Sequence, residues 1–253
     1  MECEKLCFSQ LHLPEVDSTN RYIRDEAARL WIESNGADAL LVTAGYQTDG
    51  RGQRGNRWTS VAGENLLLSI LVRPSFLAVK EQFLLSQVAA LSVKHCLHFF
   101  EISSLLKWPN DIYVGNRKIC GMLVELDYMG NMLEQAVIGI GINVNQMVFE
   151  KMSKLPVSIK MLTGQSFSVA EVKDVFLTEF SNYYRLLQLG DYATIRNEYK
   201  QSLMGCCGML TYVDAGGEFM AAIKDVCDDG ILVLQRKDGT VGRYAFKEVE
   251  LLL

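Results

Sequence analysis

Three glycines alternate with three arginines in Gly50-Arg51-Gly52-Gln53-Arg54-Gly55-Asn56-Arg57-Trp58, in the polar stretch that follows a strand-like apolar run. Glycines let a backbone come close to a ligand, and arginine forks donate in pairs to phosphate or carboxylate. The segment therefore suits a loop that closes over an anionic group, and it is equally compatible with a solvated basic loop. Gly50, Gly52 and Gly55 also satisfy the spacing of a dinucleotide-binding fingerprint. That fingerprint needs a helix opening at the loop and an acid ending the next strand, whereas the next strand here ends in Arg73-Pro74. No glycine precedes Lys-Ser or Lys-Thr at the spacing of a Walker phosphate loop.

A second constellation is Lys107-Trp108-Pro109-Asn110-Asp111, continued by Arg117-Lys118-Ile119-Cys120-Gly121-Met122-Leu123-Val124-Glu125. Two lysines and an aspartate bracket one hairpin. Beneath the arginine loop, Lys107 and Lys118 would neutralise charge on a transferring group while Asp111 accepts a proton or holds a metal. The plainer reading has Lys107 snorkelling at a strand end and Asp111 capping a turn. A third segment, Gly139-Ile140-Gly141-Ile142-Asn143-Val144-Asn145, has two glycines that bare one side of a strand; a flat ring fits there, as does a β-bulge. His95 and His98 lie three apart in an apolar run and read as packing or surface groups, Trp31 as core, and Cys206-Cys207 as buried packing thiols. Cys120 faces either the ligand site or the core.

These segments need elements to hold them. Asp17 or Ser18 can cap a helix carrying Tyr22, Ile23, Ala27, Leu30 and Trp31 and stopped at Gly36. Ala39 to Tyr46 and Asn65 to Val72 read as buried strands, and Ala78 to Phe100 as a core helix. Turns at Gly115-Asn116 and Gly130-Asn131 predict a meander through Asp111–Val114, Ile119–Met129 and Met132–Val144. Ser168 with Glu171 forms a capping box for another long helix. Beyond Gly205, short strands punctuated by Gly216-Gly217, Asp229-Gly230 and Asp238-Gly239 read as a separate β unit. The expected class is α/β (α+β): a mixed β-sheet with helices packed mainly on one side, plus a C-terminal small β-barrel of the Src-homology-3 type. The expected domains are 1–204 and 205–253.

The chain of 253 residues carries a net charge of −5, which argues against a general nucleic-acid binder. Seven cysteines without zinc-type spacing, and a start lacking a long apolar run, point to reduced thiols in the cytoplasm. Its apolar runs are strand-length, short of the roughly 20 residues of a membrane helix.

Together, DSTN at Asp17–Asn20, YQTDGRGQRGNRW at Tyr46–Trp58, KWPNDIY at Lys107–Tyr113, RKICGMLVE at Arg117–Glu125 and GIGINVN at Gly139–Asn145 resemble the biotin–protein ligase family in order and spacing. The resemblance spans essentially the whole chain. It implies that biotin is activated with ATP to biotinyl-5'-AMP and passed to a lysine of a biotin carboxyl carrier protein, with Mg²⁺ accompanying ATP and no protein-held metal. It places Ser18, Thr19, Asn20, Gln47, Gly50, Arg51, Gly52, Gln53, Lys118 and Gly121 around biotin. Arg51, Arg54, Trp58, Lys118 and Asn143 would meet the nucleotide or adenylate, and Arg51, Lys107, Asp111 and Lys118 would serve catalysis.

The strictest family pattern has arginine at the positions of Gln53 and Asn56, which implies a lid closing through Arg51 and Arg54 with faster leakage of the intermediate. Residues 1–16 leave no room for the helix-turn-helix module of repressor-type members, so DNA binding is not expected. A homodimer stays open, because an edge strand that dimerises looks like any other. Two alternatives remain: a lipoate or octanoate ligase or transferase of the same fold, and a non-catalytic biotin-adenylate binding protein.

Overall fold

The computed structural model describes residues 5–150 and 155–253, apart from the side chain of Arg54. A seven-stranded mixed sheet has the order β1-β2-β3-β7-β6-β5-β4. Its strands are β1 (Phe8–Val16), β2 (Ala39–Gln47), β3 (Asn65–Val72), β4 (Leu105–Lys107), β5 (Asp111–Val114), β6 (Arg117–Met129) and β7 (Met132–Asn143). Only β1 joins its neighbour in parallel; the other pairs are antiparallel.

All eight residues of β3 are buried, because the strand is covered on both faces. Leu66, Leu68, Ile70 and Val72 belong to the main core under helices α3 (Phe83–Phe99) and α5 (Val169–Gln188). Leu71, with Leu40, Val42 and Val137, meets the shorter helices α1 (Thr19–Asp25) and α2 (Ala27–Glu33) on the other face. The larger helical layer thus lies on one side, as expected. Phe176 and Phe180 of α5 are fully buried in it, and truncating either to alanine would cost about 3–5 kcal/mol.

The sequence predicts one helix from Ser18 onward, whereas the backbone bends at Glu26 (φ −93°, ψ 3°). Bonds from Glu26 N to the Tyr22 carbonyl and from Leu30 N to the Glu26 carbonyl carry the hydrogen-bond run across the bend. Helix α3 starts at Phe83 rather than Ala78, after a 3-10 turn at Val79–Glu81. Strand β1 was not predicted; its Pro14 is tolerated at the sheet edge, where no ladder donor is required. Helices α4 (Ile159–Thr163) and α6 (Tyr192–Ser202) are further additions, capped by the side chains of Ser158 and Asp191.

A second, antiparallel sheet with order β11-β10-β9-β8-β12 forms the small barrel, from β8 (Leu210–Asp214), β9 (Gly217–Val226), β10 (Leu232–Arg236), β11 (Val241–Tyr244) and β12 (Val249–Leu251). Its turns fall at the predicted glycine pairs. The barrel is tied to the first sheet at the turn after β4: Trp108 Nε1 donates to the Gly230 carbonyl (3.0 Å), and Phe246 packs on Trp108 and Phe83. Among the described residues no helix is long and apolar enough to cross a membrane.

Candidate active site

The first wall of the site is the N-terminus of α1. Ser18 caps that helix, accepting from Arg21 N, and Thr19 donates from both its backbone N and its Oγ1 to Gln47 Oε1 (2.8 and 3.1 Å). Asn20 reaches across the sheet: its Nδ2 donates to Glu125 Oε2 (2.8 Å), and its Oδ1 accepts from Ser69 Oγ (2.6 Å). Ser69 Oγ also lies 2.8 Å from Thr19 Oγ1. Ser18, Thr19, Asn20 and Ser69 are all buried, so this network is fixed before any ligand arrives.

The floor is glycine. A Cβ on Gly139 would stand 2.1 Å from Asn20 Oδ1, and one on Gly141 would stand 2.5 Å from Trp58 Cε2. Side chains are thus excluded at both positions, and the bared strand is covered by the Trp58 indole. Between them lies a cavity of about 40 Å³ lined by Ser18, Thr19, Asn20, Gln47, Arg51, Gly52, Trp58, Gly121, Gly139 and Gly141 among others. Among the described residues the buried Trp58 Nε1 has no hydrogen-bond partner, a donor that an acceptor on a ligand would satisfy.

The arginine-glycine segment forms a narrow loop over this cavity. Gly52 N donates to the Asn56 carbonyl (2.7 Å) and Trp58 N to the Gly50 carbonyl (2.9 Å), with Arg51 and Arg57 bridged across. Arg57 is held by Asp49 (3.0 Å), which also faces Arg21 (3.7 Å), while Arg21 pairs with Asp17. Gln53 and Arg54 fall in a short 3-10 turn, Gln53–Gly55; the Arg54 side chain lies outside the described part.

On the far side of Trp58 a cavity of about 470 Å³ opens between the first sheet and the barrel. Lys107 and Asp111 pair across the β4–β5 hairpin, and Lys118 Nζ contacts Asp111 Oδ1 at 2.6 Å. Asp111 is only 7% exposed, so the ion pair is shielded from water. Lys107 Nζ donates to the Leu251 carbonyl of β12 (3.0 Å), so the barrel helps to fix it. Burial, then the neighbouring Asp111 and Glu250 carboxylates, push the Tyr113 hydroxyl well above its ordinary range and keep it neutral.

Regular alternation would put Lys118 and Cys120 on one face of β6. The β5–β6 register shifts at Ile112/Tyr113, so Cys120 enters the core while Lys118 Nζ approaches Gly121, 3.1 Å from where its Cβ would stand. Cys120 is therefore a core thiol, raised by burial.

The structure gathers Ser18, Thr19, Asn20, Gln47, Arg51 and Gly121 around the first cavity and Gln53, Lys107, Asp111 and Lys118 around the second, with Gly52 and Trp58 lining both. Gly50 packs against the Trp58 carbonyl beneath the loop. Asn143 lines neither cavity: its buried amide donates to the carbonyls of Val157 (3.0 Å) and Lys118 (3.5 Å), joining the strand to the 155–157 segment. The sequence reading missed Ser69, although a lone serine in the apolar run LLLSILV is a usable signal. It also missed Glu125's tie to Asn20 and the barrel residues Phe246, Lys247 and Glu250, for which distance along the chain hides the contact. His95 bonds Glu198 (2.5 Å), away from both cavities. Cys207 is exposed, with its sulfur 3.1 Å from that of Cys206, rather than a buried packing group. Among the described residues no three His, Cys, Asp or Glu side chains converge to hold a metal ion.

A model of the Biotin/lipoate A/B protein ligase family matches residues 13–143, more than half of the chain and the whole glycine-floored wall. The chain belongs to the Biotin/lipoate A/B protein ligase family. It is similar to the biotin–[acetyl-CoA-carboxylase] ligase of Paracoccus denitrificans, 28% identical over 245 residues, which covers 94% of this chain and 98% of that one. It is also similar to the bifunctional ligase/repressor BirA of Bacillus subtilis, 27% identical over 215 residues, or 84% of this chain and 66% of that relative's length. Among solved structures, the biotin protein ligase from Aquifex aeolicus in complex with biotin and ATP superposes with a TM-score of 0.77 at 25% identity, covering 96% of this chain and 98% of that one. The motif residues up to Asn143 lie inside the family match, and the barrel lies outside it.

Proposed function

We propose that this chain is an ATP-dependent biotin–protein ligase, residues 1–204 forming the catalytic unit and 205–253 the barrel. The observation that carries this reading is the meeting of two unlike cavities at Trp58 and Gly52: one small with a fixed polar wall, one large and lined with cations. A small acid with a polar ring enters the first, a nucleotide the second, and their reacting atoms meet at the junction. The relatives named as biotin ligases and the neighbour holding biotin and ATP support the same substrates.

In the first step a biotin carboxylate oxygen attacks the α-phosphorus of ATP, and the bond to the leaving pyrophosphate breaks. Ser18, Thr19, Asn20 and Gln47 orient the ureido ring, while Gly50 and Gly52 bring the loop backbone over it. Arg51 and Lys118 neutralise charge on either side of the junction, and Lys107, fixed by the Leu251 carbonyl, adds to the field. Arg54 and Trp58 belong to the moving lid. Magnesium arrives with ATP as part of the substrate. Asn143 acts indirectly, by holding the segment behind Lys118.

In the second step the acceptor lysine amine attacks the acyl carbon and AMP leaves. That lysine is protonated at neutral pH, with an ordinary pKa of about 10.4. Asp111 takes its proton once the arriving phosphate has drawn Lys118 away. The acceptor is the lysine of a biotin carboxyl carrier protein or domain, and the free cysteines among the described residues suit the cytoplasm.

Incubation with ATP, Mg²⁺ and biotin, lipoate or octanoate tests the reading, with the adenylate weighed by mass spectrometry. Biotinyl-adenylate followed by a biotin-sized mass gain on carrier protein is expected. Preference for lipoate or octanoate, or binding of biotin without adenylate, would replace the proposal.

A further inference from the structure

We infer that Glu125 and Ser69 are positioning residues that set the direction of a hydrogen-bond relay behind the small cavity, so that Thr19 presents an acceptor there and selects a ring N–H on the ligand; this rests on the ligase reading. The relay starts at a carboxylate. Asn20 Nδ2 faces Glu125 Oε2 (2.8 Å) and the Leu123 carbonyl (3.4 Å), two groups that only accept. The Asn20 amide therefore has one orientation, with nitrogen toward β6 and oxygen toward β3. Ser69 Oγ has a single proton and two neighbours, Asn20 Oδ1 at 2.6 Å and Thr19 Oγ1 at 2.8 Å. Asn20 Oδ1 is the nearer and cannot donate, whereas Thr19 can, so the Ser69 proton goes to Asn20 and Ser69 meets Thr19 as an acceptor. The Thr19 proton is then shared between Ser69 Oγ and Gln47 Oε1 (3.1 Å), both within the wall, and Thr19 Oγ1 turns lone pairs to the cavity.

Nothing in β3 itself asks for a hydroxyl. Ser69 stands between buried Leu68 and Ile70 in an apolar strand and is fully buried, where an idle polar group is costly. Thr19 and Asn20 are buried too, so solvent does not stand in for a missing link. Arg24 braces the far oxygen of Glu125 (Nη1 to Oε1, 3.6 Å) and reaches Asp127 (3.4 Å), which keeps the carboxylate turned to Asn20. A ligand N–H aimed at Thr19 completes the relay. An ether or ester oxygen at the same point would set lone pairs against lone pairs in a closed space, and a site built for a donor rejects such a replacement. The class of ligand selected is a cyclic urea or amide with an N–H on that edge; lipoate and octanoate carry no such donor.

The test uses the full chain as wild type, Glu125→Leu, Glu125→Gln and Ser69→Ala, titrated calorimetrically with biotin and with its two cyclic-carbamate analogues, in each of which one ureido N–H is replaced by a ring oxygen. Wild type should bind at least one analogue about 10- to 100-fold more weakly than biotin. Glu125→Leu lets the Asn20 amide turn over, and Ser69→Ala removes the acceptor 2.8 Å from Thr19. Both release the Thr19 proton toward the ligand, so the preference for biotin over that analogue should fall about fivefold or more. Glu125→Gln keeps a carbonyl facing Asn20 Nδ2 and should hold the preference within about threefold of wild type. A wall that is merely loosened weakens biotin and analogue alike and leaves their ratio in place, and Tm is read alongside to register such loosening. A fall below about twofold in either Glu125→Leu or Ser69→Ala, or a wild type that binds biotin and both analogues equally, overturns the relay alone. A wild type without affinity for biotin overturns the ligase reading and the relay with it.

Discussion

Substituting alanine at the two floor glycines should separate binding from folding. In Gly141→Ala the new Cβ would meet Trp58 Cε2, Cζ2 and Nε1 at 2.5, 2.8 and 2.8 Å. Ordinary contact begins near 3.4 Å, so the indole must retreat by about 0.9 Å, the difference between 3.4 and 2.5 Å. Trp58 sits on a loop with exposed neighbours, so the loop can swing and the stability cost should stay at the low end of overpacking, about 1 kcal/mol.

The same methyl, however, takes up much of a cavity of about 40 Å³ and blocks a ring from lying on the strand. Loss of about 2–3 kcal/mol of biotin binding follows, roughly 30- to 150-fold in Kd. Gly139→Ala meets Asn20 Oδ1 at 2.1 Å, and Asn20 is pinned by Ser69, Glu125 and the Leu123 carbonyl. With no room to yield, that variant should lose about 3 kcal/mol of stability or fail to fold. Biotin calorimetry and thermal unfolding of the pair give the answer. A Gly141→Ala protein that unfolds as readily as Gly139→Ala while binding biotin normally would refute this account of the floor.

Asp111→Asn should slow transfer from preformed biotinyl-adenylate by about 10²- to 10⁴-fold, the usual worth of a positioned base; intact single-turnover transfer would remove Asp111 from that role. Burial would raise the Glu198 carboxyl, but bonds from the Tyr183 hydroxyl and the His95 ring together hold it below its ordinary value. A depressed carboxyl stabilises the fold above its unfolded pKa, near 4.3, and the gain disappears as pH falls through the folded value. Glu198→Gln should therefore flatten the loss of Tm on acidification below about pH 5, measured by calorimetry against wild type. Thiol alkylation at neutral pH should label exposed Cys7 and Cys207 first and spare Cys96, whose thiol burial pushes up to about 12, together with Cys120; peptide mass mapping would expose any other order.

Where the chemistry depends on residue type and local spacing, the sequence already held it. The glycines and arginines of Gly50–Trp58, the Lys107–Asp111 hairpin and the Gly139–Gly141 pair each announce a loop, a turn and a bared strand, because those features follow from backbone sterics within a few residues. The barrel's turns were legible for the same reason. The Pro14 strand was not, because an edge strand needs only one partner and its pattern is weak.

Tertiary structure alone decided three things. A register shift between β5 and β6 turns Lys118 toward Gly121 and Cys120 into the core, against regular alternation. The barrel reaches back to hold Lys107 and Trp108 through the Leu251 and Gly230 carbonyls, contacts 144 and 122 residues apart in the chain. And Trp58, rather than solvent, covers the glycine floor. Each depends on pairing between distant segments, where a single-residue slip changes which face a side chain occupies, and no local pattern in the sequence fixes that slip.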